Sequence, residues 1–421
     1  MRILWIVNII FPFPALKLGL KETSFGGWLQ GLANTIKEKE NVKLAIATVY
    51  SGKKILEFSD ENIIYYLIPG APALEYKKKS EKYWKIINDK FKPDLVHIHG
   101  TEYTHGLAFK NANPSVKVIT SIQGLVSRCA EVYTANIGTK EILKSTTLRD
   151  ILKKDNIFQQ KSKFIKRGLN EIELIQKSEV ILGRTMWDYA NTKAINRNNK
   201  YYTSNETLRE SFYKEQWNIN QTEAHSIFCS QAGYPIKGAH YLIKAISILK
   251  YQYGYNDIKL YIAGPNIADN SNINKKIRMT GYANYIRKLI HKLGLEKQIL
   301  WTGILNEKEM VSRLLKTRIF VLPSALENSS NSLCEAMLLG MPCVATNTGG
   351  TMDILEHKKE GYLYPYTEPA ICAEYILKFF EDDELSIKMG KEAREKALER
   401  HNPEKNAEDI IEIYKKVIGE L

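Results

Sequence analysis

The chain has 421 residues, 44% of them apolar and 10% aromatic, which suits two globular cores of about 200 residues each and argues against general disorder. Its net charge of +13 leaves open a generically basic surface, attraction to anionic lipid or acidic glycan, or nucleic-acid binding. Five cysteines (Cys129, Cys229, Cys334, Cys343, Cys372), never in CxxC spacing, argue against a zinc site or a disulfide framework and fit a reducing cytoplasm.

The opening MRILWIVNIIFPFPAL reads as a buried strand over Ile3–Ile10 rather than a signal peptide, because Asn8, Pro12 and Pro14 interrupt the apolar run. No later stretch is apolar enough to span a bilayer, so a cytoplasmic protein is expected. Short β-rich runs then alternate with helical patterns, the signature of βαβ units and parallel sheets. Strands are predicted at Lys43–Tyr50, Ile63–Ile68, Leu95–His99, Val116–Ile122 and Val180–Leu182, with a helix at Trp28–Lys37. Two basic clusters fall in this half: Lys77 to Lys92, threaded by Tyr83, Trp84, Ile86 and Ile87 at helical spacing, and Lys153 to Arg167. Either a membrane-surface helix or a solvated face with inward aromatics accounts for the first. The polar stretch Asn205–Glu223 reads as a hinge. Strands follow at Ser226–Ser230, Lys259–Ala263, Ile299–Thr302, Ile319–Leu322 and Cys343–Ala345, with a helix at Tyr241–Tyr251 and a last one at Pro403–Leu421. Domains over 1–205 and 206–398, with a terminal helix over 399–421, are expected.

Three segments carry chemistry. Gly26-Gly27-Trp28 lies at a loop-to-helix junction, where close backbone approach and free N–H groups suit a phosphate; an ordinary tight turn fits as well. No GxGxxG follows the first strand, which weakens a dinucleotide oxidoreductase. Gly233-Tyr234-Pro235-Ile236-Lys237-Gly238 puts a lysine just ahead of a helix, suited to a diphosphate but not in Walker spacing. Most informative is RIFVLPSALENSSNSLCEAMLLGMPCVATNTGGTMDIL. A strand ends in a loop carrying Glu327. Asn328, Ser329, Ser330, Asn331 and Ser332 then open a helix carrying Glu335 about two turns in, followed by turns at Gly340-Met341-Pro342 and Gly349-Gly350.

The segment Ile319 to Tyr364 resembles the donor-binding signature of glycosyltransferase family 4, with its E-x7-E pair at Glu327 and Glu335. Gly-Gly near residue 26, Lys237-Gly238 and Ile262-Ala263-Gly264 match as well. The resemblance implies an α/β fold of GT-B architecture, two Rossmann-like parallel-sheet domains facing across a cleft, with a terminal helix returning to the first. It implies a nucleotide-sugar co-substrate, no cofactor and no metal. Glu327 would meet the donor sugar and Glu335 the ribose. Lys237 and the backbone around Gly27 and Ser330–Ser332, with Leu333 following, would hold the diphosphate, while Gly303 and Ile304 would border the base.

The chain departs from the pattern in three places. Gln231 and Ala232 stand where family members carry an arginine, so Arg184, or less strongly Arg209, is the candidate second cation. Gln123 stands where a histidine is common and cannot act as a base. Asn328 and Ser330 replace glycines. On the acceptor side, His99, Glu102 and His105 are candidate contacts. The implied reaction retains anomeric configuration, with UDP- or GDP-sugar as donor and a glycan or lipid-linked hydroxyl as acceptor, as in surface polysaccharide assembly. The basic helices of the N-terminal domain would touch the inner face of an anionic membrane. The rivals are a GT-B sugar-nucleotide epimerase and a basic nucleic-acid-binding protein, the latter without a recognised motif.

Overall fold

A computed structural model describes residues 1–20, 27–37, 42–60, 62–70 and 76–420. The chain forms two compact units: residues 1–128, 163–209 and 401–421 make the first, and residues 129–162 and 210–400 the second. The expected first domain over 1–205 is therefore interrupted, because helices between residues 129 and 162 pack with the second unit. The expected hinge also carries structure. Phe212 and Trp217 are buried, and Trp217 donates from its indole to the Thr317 carbonyl at 2.9 Å, which fixes residues 210–223 to the second unit, while residues 205–209 belong to the first.

In the first unit, β1 (Arg2–Ile6), β2 (Lys43–Tyr50), β3 (Leu56–Asp60), β4 (Ile63–Pro69), β5 (Leu95–His99), β6 (Val118–Ser121), β7 (Val180–Gly183) and β8 (Lys200–Thr203) form one sheet in the order β3-β4-β2-β1-β5-β6-β7-β8. Only the β3–β4 pairing is antiparallel among the described residues. Strand β1 stops at Ile6, four residues short of the expected end. Its side chains alternate between faces: Ile3 and Trp5 join one core, Leu4 and Ile6 the other. Helix Pro403–Glu420 completes the first of these cores with Ala407, Ile410, Tyr414 and Val417. A hydrogen-bond chain fixes it. Trp5 Nε1 donates to Tyr414 Oη at 3.0 Å, which lies 2.6 Å from His97 Nδ1, and His97 Nε2 lies 2.6 Å from Ser121 Oγ. Burial lowers His97 to about 3, so the ring stays neutral.

The Lys77–Lys92 cluster forms helix Glu81–Phe91, which buries Trp84, Ile87 and Phe91 in the second core. Its aromatic face is thus used internally, and the solvated-face reading accounts for the lysines.

In the second unit, β9 (Glu223–Cys229), β10 (Lys259–Ile262), β11 (Ile299–Trp301), β12 (Thr317–Leu322), β13 (Cys343–Thr346) and β14 (Gly361–Tyr364) form a parallel sheet in the order β11-β10-β9-β12-β13-β14. Helices Ala239–Tyr251 and Pro369–Glu381 bury apolar faces such as Leu242, Ile246 and Ile376. Among the described residues no helix is long and apolar enough to cross a membrane.

Candidate active site

The second sheet reverses its strand order between β9 and β12: β10 and β11 extend it one way, β13 and β14 the other. Loops leaving the carboxyl ends of these two neighbours part at that point, which is where open α/β sheets bind ligands. Both central motifs lie in these loops.

Pro323, without an N–H, ends β12. The loop after it is held from several sides. Thr346 Oγ1 donates to Ser324 O at 2.6 Å, Gly350 N to Glu327 O at 3.0 Å, and Ala325 N to Ile236 O at 2.7 Å. The last bond stitches this loop to the one after β9. Gly238 has φ +66°, and a Cβ there would collide with the Pro323 carbonyl oxygen, so only glycine permits that approach.

The stitched loops bring Lys237 and Glu327 together. Lys237 Nζ lies 2.6 Å from Glu327 Oε1, and Ser324 Oγ donates to the same oxygen at 2.7 Å. The two side chains are 19% and 14% exposed, enclosed enough for weak screening yet open to a ligand. Burial alone would depress the Lys237 ammonium; the Glu327 carboxylate and the Tyr234 phenol outweigh it and raise the group, which stays charged. The ammonium also lies 5.8 Å from the centre of the Tyr234 ring.

Ser330 caps helix Asn331–Leu339, its Oγ accepting from Leu333 N at 3.5 Å. Ser332 Oγ lies 3.1 Å from Ser330 Oγ and 3.0 Å from Ser230 Oγ, joining the helix start to the end of β9. Its first-turn N–H groups and positive dipole end thus lie at the β9–β12 crevice. Leu333 is wholly buried and its N–H is used by the cap, so it offers a ligand nothing directly. Asn328 and Glu335 are buried. Glu335 is the fifth helical residue, little more than one turn in, closer to the N-terminus than the sequence suggests. Gly303 and Ile304 follow β11, two strands from β9. Gly264 N donates to Gly303 O at 2.9 Å, both glycines have positive φ, and Ile304 is exposed.

The first sheet reverses between β1 and β5. There Gly100, at φ +95°, leaves room for the Glu102 carboxylate, which a Cβ would strike. Asn8 Nδ2 donates to Glu102 Oε2 at 3.3 Å, and Arg167 donates to the Glu102 carbonyl at 2.9 and 3.1 Å. Burial, with the nearby Glu171 charge also contributing, pushes Glu102 up to about 7.

Three expectations for this unit need correction. His99 and His105 are buried, not presented to an acceptor. His99 packs 3.7 Å from the His97 ring centre and 4.5 Å from that of Trp5, while His105 packs on Trp84 and Tyr103. Burial lowers both, His105 to about 4. Arg184 is buried in an ion pair with Glu206 at 2.6 Å and donates to the carbonyls of Ile122 and Gln123 at 3.3 Å, so it shapes the Gln123 loop. Arg209 instead lies against Gly27, its Cγ 3.2 Å from where a Cβ would stand. Gly26 lies outside the described residues.

Ser324, Ser230 and Glu171 are not among the site residues expected from sequence, and Asn8 and Tyr234 enter there only as parts of the first strand and of the lysine motif. Ser324 and Ser230, each just beyond a buried strand at a switch point, carried a usable signal. Glu171 sits mid-helix and gave none, although it accepts from Thr101 Oγ1 at 2.8 Å and from the N–H groups of Val126 and Ser127 at 2.8 and 2.9 Å.

Residues 210–396 match the family of glycosyl transferases group 1. Over these residues the chain is similar to the group 1 glycosyl transferases. Similar proteins include N-acetyl-alpha-D-glucosaminyl L-malate synthase of Bacillus anthracis, 29% identical over 133 residues, covering 32% of this chain and 34% of that protein. A putative glycosyltransferase, YtcC, of Bacillus subtilis (strain 168) is 25% identical over 303 residues, covering 72% of this chain and 67% of its own. The chain thus spans about a third of the first relative's length and two thirds of the second's. Among solved structures, sucrose-phosphate synthase from Thermosynechococcus elongatus has a TM-score of 0.71 at 13% identity, over 100% of both chains. Anabaena HepE in complex with UDP-glucose has a TM-score of 0.66 at 14% identity, over 99% of this chain and 100% of its own. These likenesses agree with the GT-B class of fold for the two Rossmann-like units. The matched residues 210–396 contain the entire Lys237–Glu327 arrangement.

Proposed function

We propose that this chain transfers a sugar, with retention and without a metal, from a UDP- or GDP-sugar to a hydroxyl of a glycan or lipid-linked acceptor. The observation that carries the reading is the Lys237–Glu327–Ser324 cluster at the β9–β12 switch point, beside a serine-capped helix N-terminus. A diphosphate takes its counter-charge from the Lys237 ammonium and the first-turn N–H groups, which also stabilise the charge that grows as it departs. Glu327 accepts from donor-sugar hydroxyls, and Glu335 serves the ribose. Neighbours of this fold were solved with UDP and with UDP-glucose, which supports a nucleotide-sugar donor.

In the step itself the anomeric carbon–phosphate oxygen bond breaks as the acceptor oxygen bonds to the same carbon on the same face. The acceptor proton passes to the departing phosphate oxygen, so Gln123 need not be a base. With Arg184 engaged by Glu206, Arg209 beside Gly27 becomes the candidate second cation.

Thermal melts against UDP, GDP, ADP and their sugars test donor binding, since a ligand at a hundred times its Kd adds about 2.7 kcal/mol to the folded state. The nucleotide that stabilises is then supplied as its sugar with candidate acceptors. Lys237→Ala and Glu327→Ala are each expected to lower transfer at least about tenfold, the effect of losing one charged contact. Rates within threefold of wild type would sink these roles, and consumption of donor without acceptor would favour an epimerase.

A further inference from the structure

We infer that the second unit carries a docking site for anionic phospholipid, formed where helices Leu148–Lys153 and Ile273–Arg278 meet. The site is a cavity of about 470 Å³, within the range that takes small ligands. Its walls are tied together. Thr147 Oγ1 donates to Met279 O at 2.9 Å, Asn284 Nδ2 to Ser145 O at 3.0 Å, and Lys288 Nζ to Lys144 O at 2.7 Å.

Leu148, Leu152 and Ile277 line the cavity while remaining 72%, 76% and 63% exposed, and Ile151 and Ile273 continue the apolar surface outside it. Large aliphatic side chains gathered at one opening are unusual on a surface facing only water. The lining includes no carboxylate and five cationic residues. Arg149 is engaged by Asp150 and Asp155 at 3.2 and 3.0 Å. Lys153, Lys276 and Arg278 enter no ion pair among the described residues and leave a positive rim. An apolar cavity with exposed aliphatic tips and a cationic rim matches a lipid that inserts an acyl chain and keeps its phosphate at the rim. An acidic protein would satisfy the rim but not the cavity. This surface is distinct from helix Glu81–Phe91, whose Trp84 and Ile87 are buried.

Vesicle flotation of the full chain tests the site without requiring sugar transfer, so its failure is separable from failure of the transferase reading. Wild type is expected to float with phosphatidylcholine vesicles containing phosphatidylglycerol, and not with phosphatidylcholine alone. Leu152→Glu with Ile277→Glu, and separately Lys276→Glu with Arg278→Glu, should each lower binding at least about tenfold. Both pairs lie on exposed positions, and unchanged melting temperatures would show that the fold survives. Soluble glycerophosphate in excess should displace little protein, because it cannot fill the cavity. No flotation with anionic vesicles, equal flotation with neutral ones, or retention by the Leu152→Glu, Ile277→Glu variant would overturn the proposal. So would a wild-type dimer in sedimentation that this variant abolishes, which would assign the surface to a second copy.

Discussion

Glu327→Gln and Lys237→Met should move the affinity for a nucleoside diphosphate in opposite directions. The carboxylate and the ammonium are 2.6 Å apart, so an arriving diphosphate competes with Glu327 for the Lys237 cation. Exposed pairs contribute about 0–1 kcal/mol, and breaking a fully buried one costs about 3–5 kcal/mol. Side chains 14% and 19% exposed lie between these limits, at about 2 kcal/mol. At about 1.4 kcal/mol per decade, that corresponds to roughly thirtyfold in affinity. Removing the competing carboxylate should therefore tighten UDP binding, by up to about thirtyfold, while slowing transfer through loss of the contact to the donor sugar. Removing the ammonium should weaken UDP by a similar factor. Isothermal titration of both variants with UDP, or with whichever nucleotide stabilises wild type, reads both signs directly. If the two substitutions shift affinity in the same direction, or Glu327→Gln leaves it within threefold, the diphosphate does not contact Lys237 as argued.

Further outcomes concern the framework around these residues. Gly238→Ala forces an alanine to φ +66° against the Pro323 carbonyl and should cost at least about 2 kcal/mol in chemical denaturation. Tyr414→Phe leaves the Trp5 N–H and His97 Nδ1 without their buried partner, so a loss of about 2–4 kcal/mol is expected in the same measurement. Glu102 is raised to about 7 from the ordinary 4.5, so the folded state holds its proton longer than the unfolded chain does. Its contribution makes stability fall as pH rises from about 4.5 to about 7. Glu102→Gln should flatten that slope in denaturation series across pH; an unchanged slope would show that Glu102 ionises normally.

Much of this architecture was legible because buried parallel strands are near-continuous apolar runs. TRIFVL and LVHIH declare themselves, and β9 to β12 each fall within a few residues of expectation. Strands β3, β8 and β14 did not. LEFSD and KYYT lie partly exposed at the sheet's two edges and carry too few buried residues for a pattern. Lys237 and Glu327 were recognisable by motif, but their mutual ion pair was not, since a strand order that places β12 beside β9 is a property of the fold. The role of Arg184 was misjudged for a related reason. A loop arginine after a strand reads as available, and only the structure reveals Glu206 at 2.6 Å.

The interrupted course of the chain bears on how the protein is made. The second unit needs residues 129–162 as well as 210–400, with bonds such as Thr147 Oγ1 to Met279 O joining its two pieces. The first needs helix Pro403–Glu420 to complete a core begun at Ile3. Neither unit is whole until nearly the full chain has left the ribosome, so both are obliged to finish folding late, after their early segments have waited with apolar faces uncovered. For the same reason, a fragment cut to the family-matched residues 210–396 would lack the helices that cover part of its surface, and would not report the behaviour of the domain.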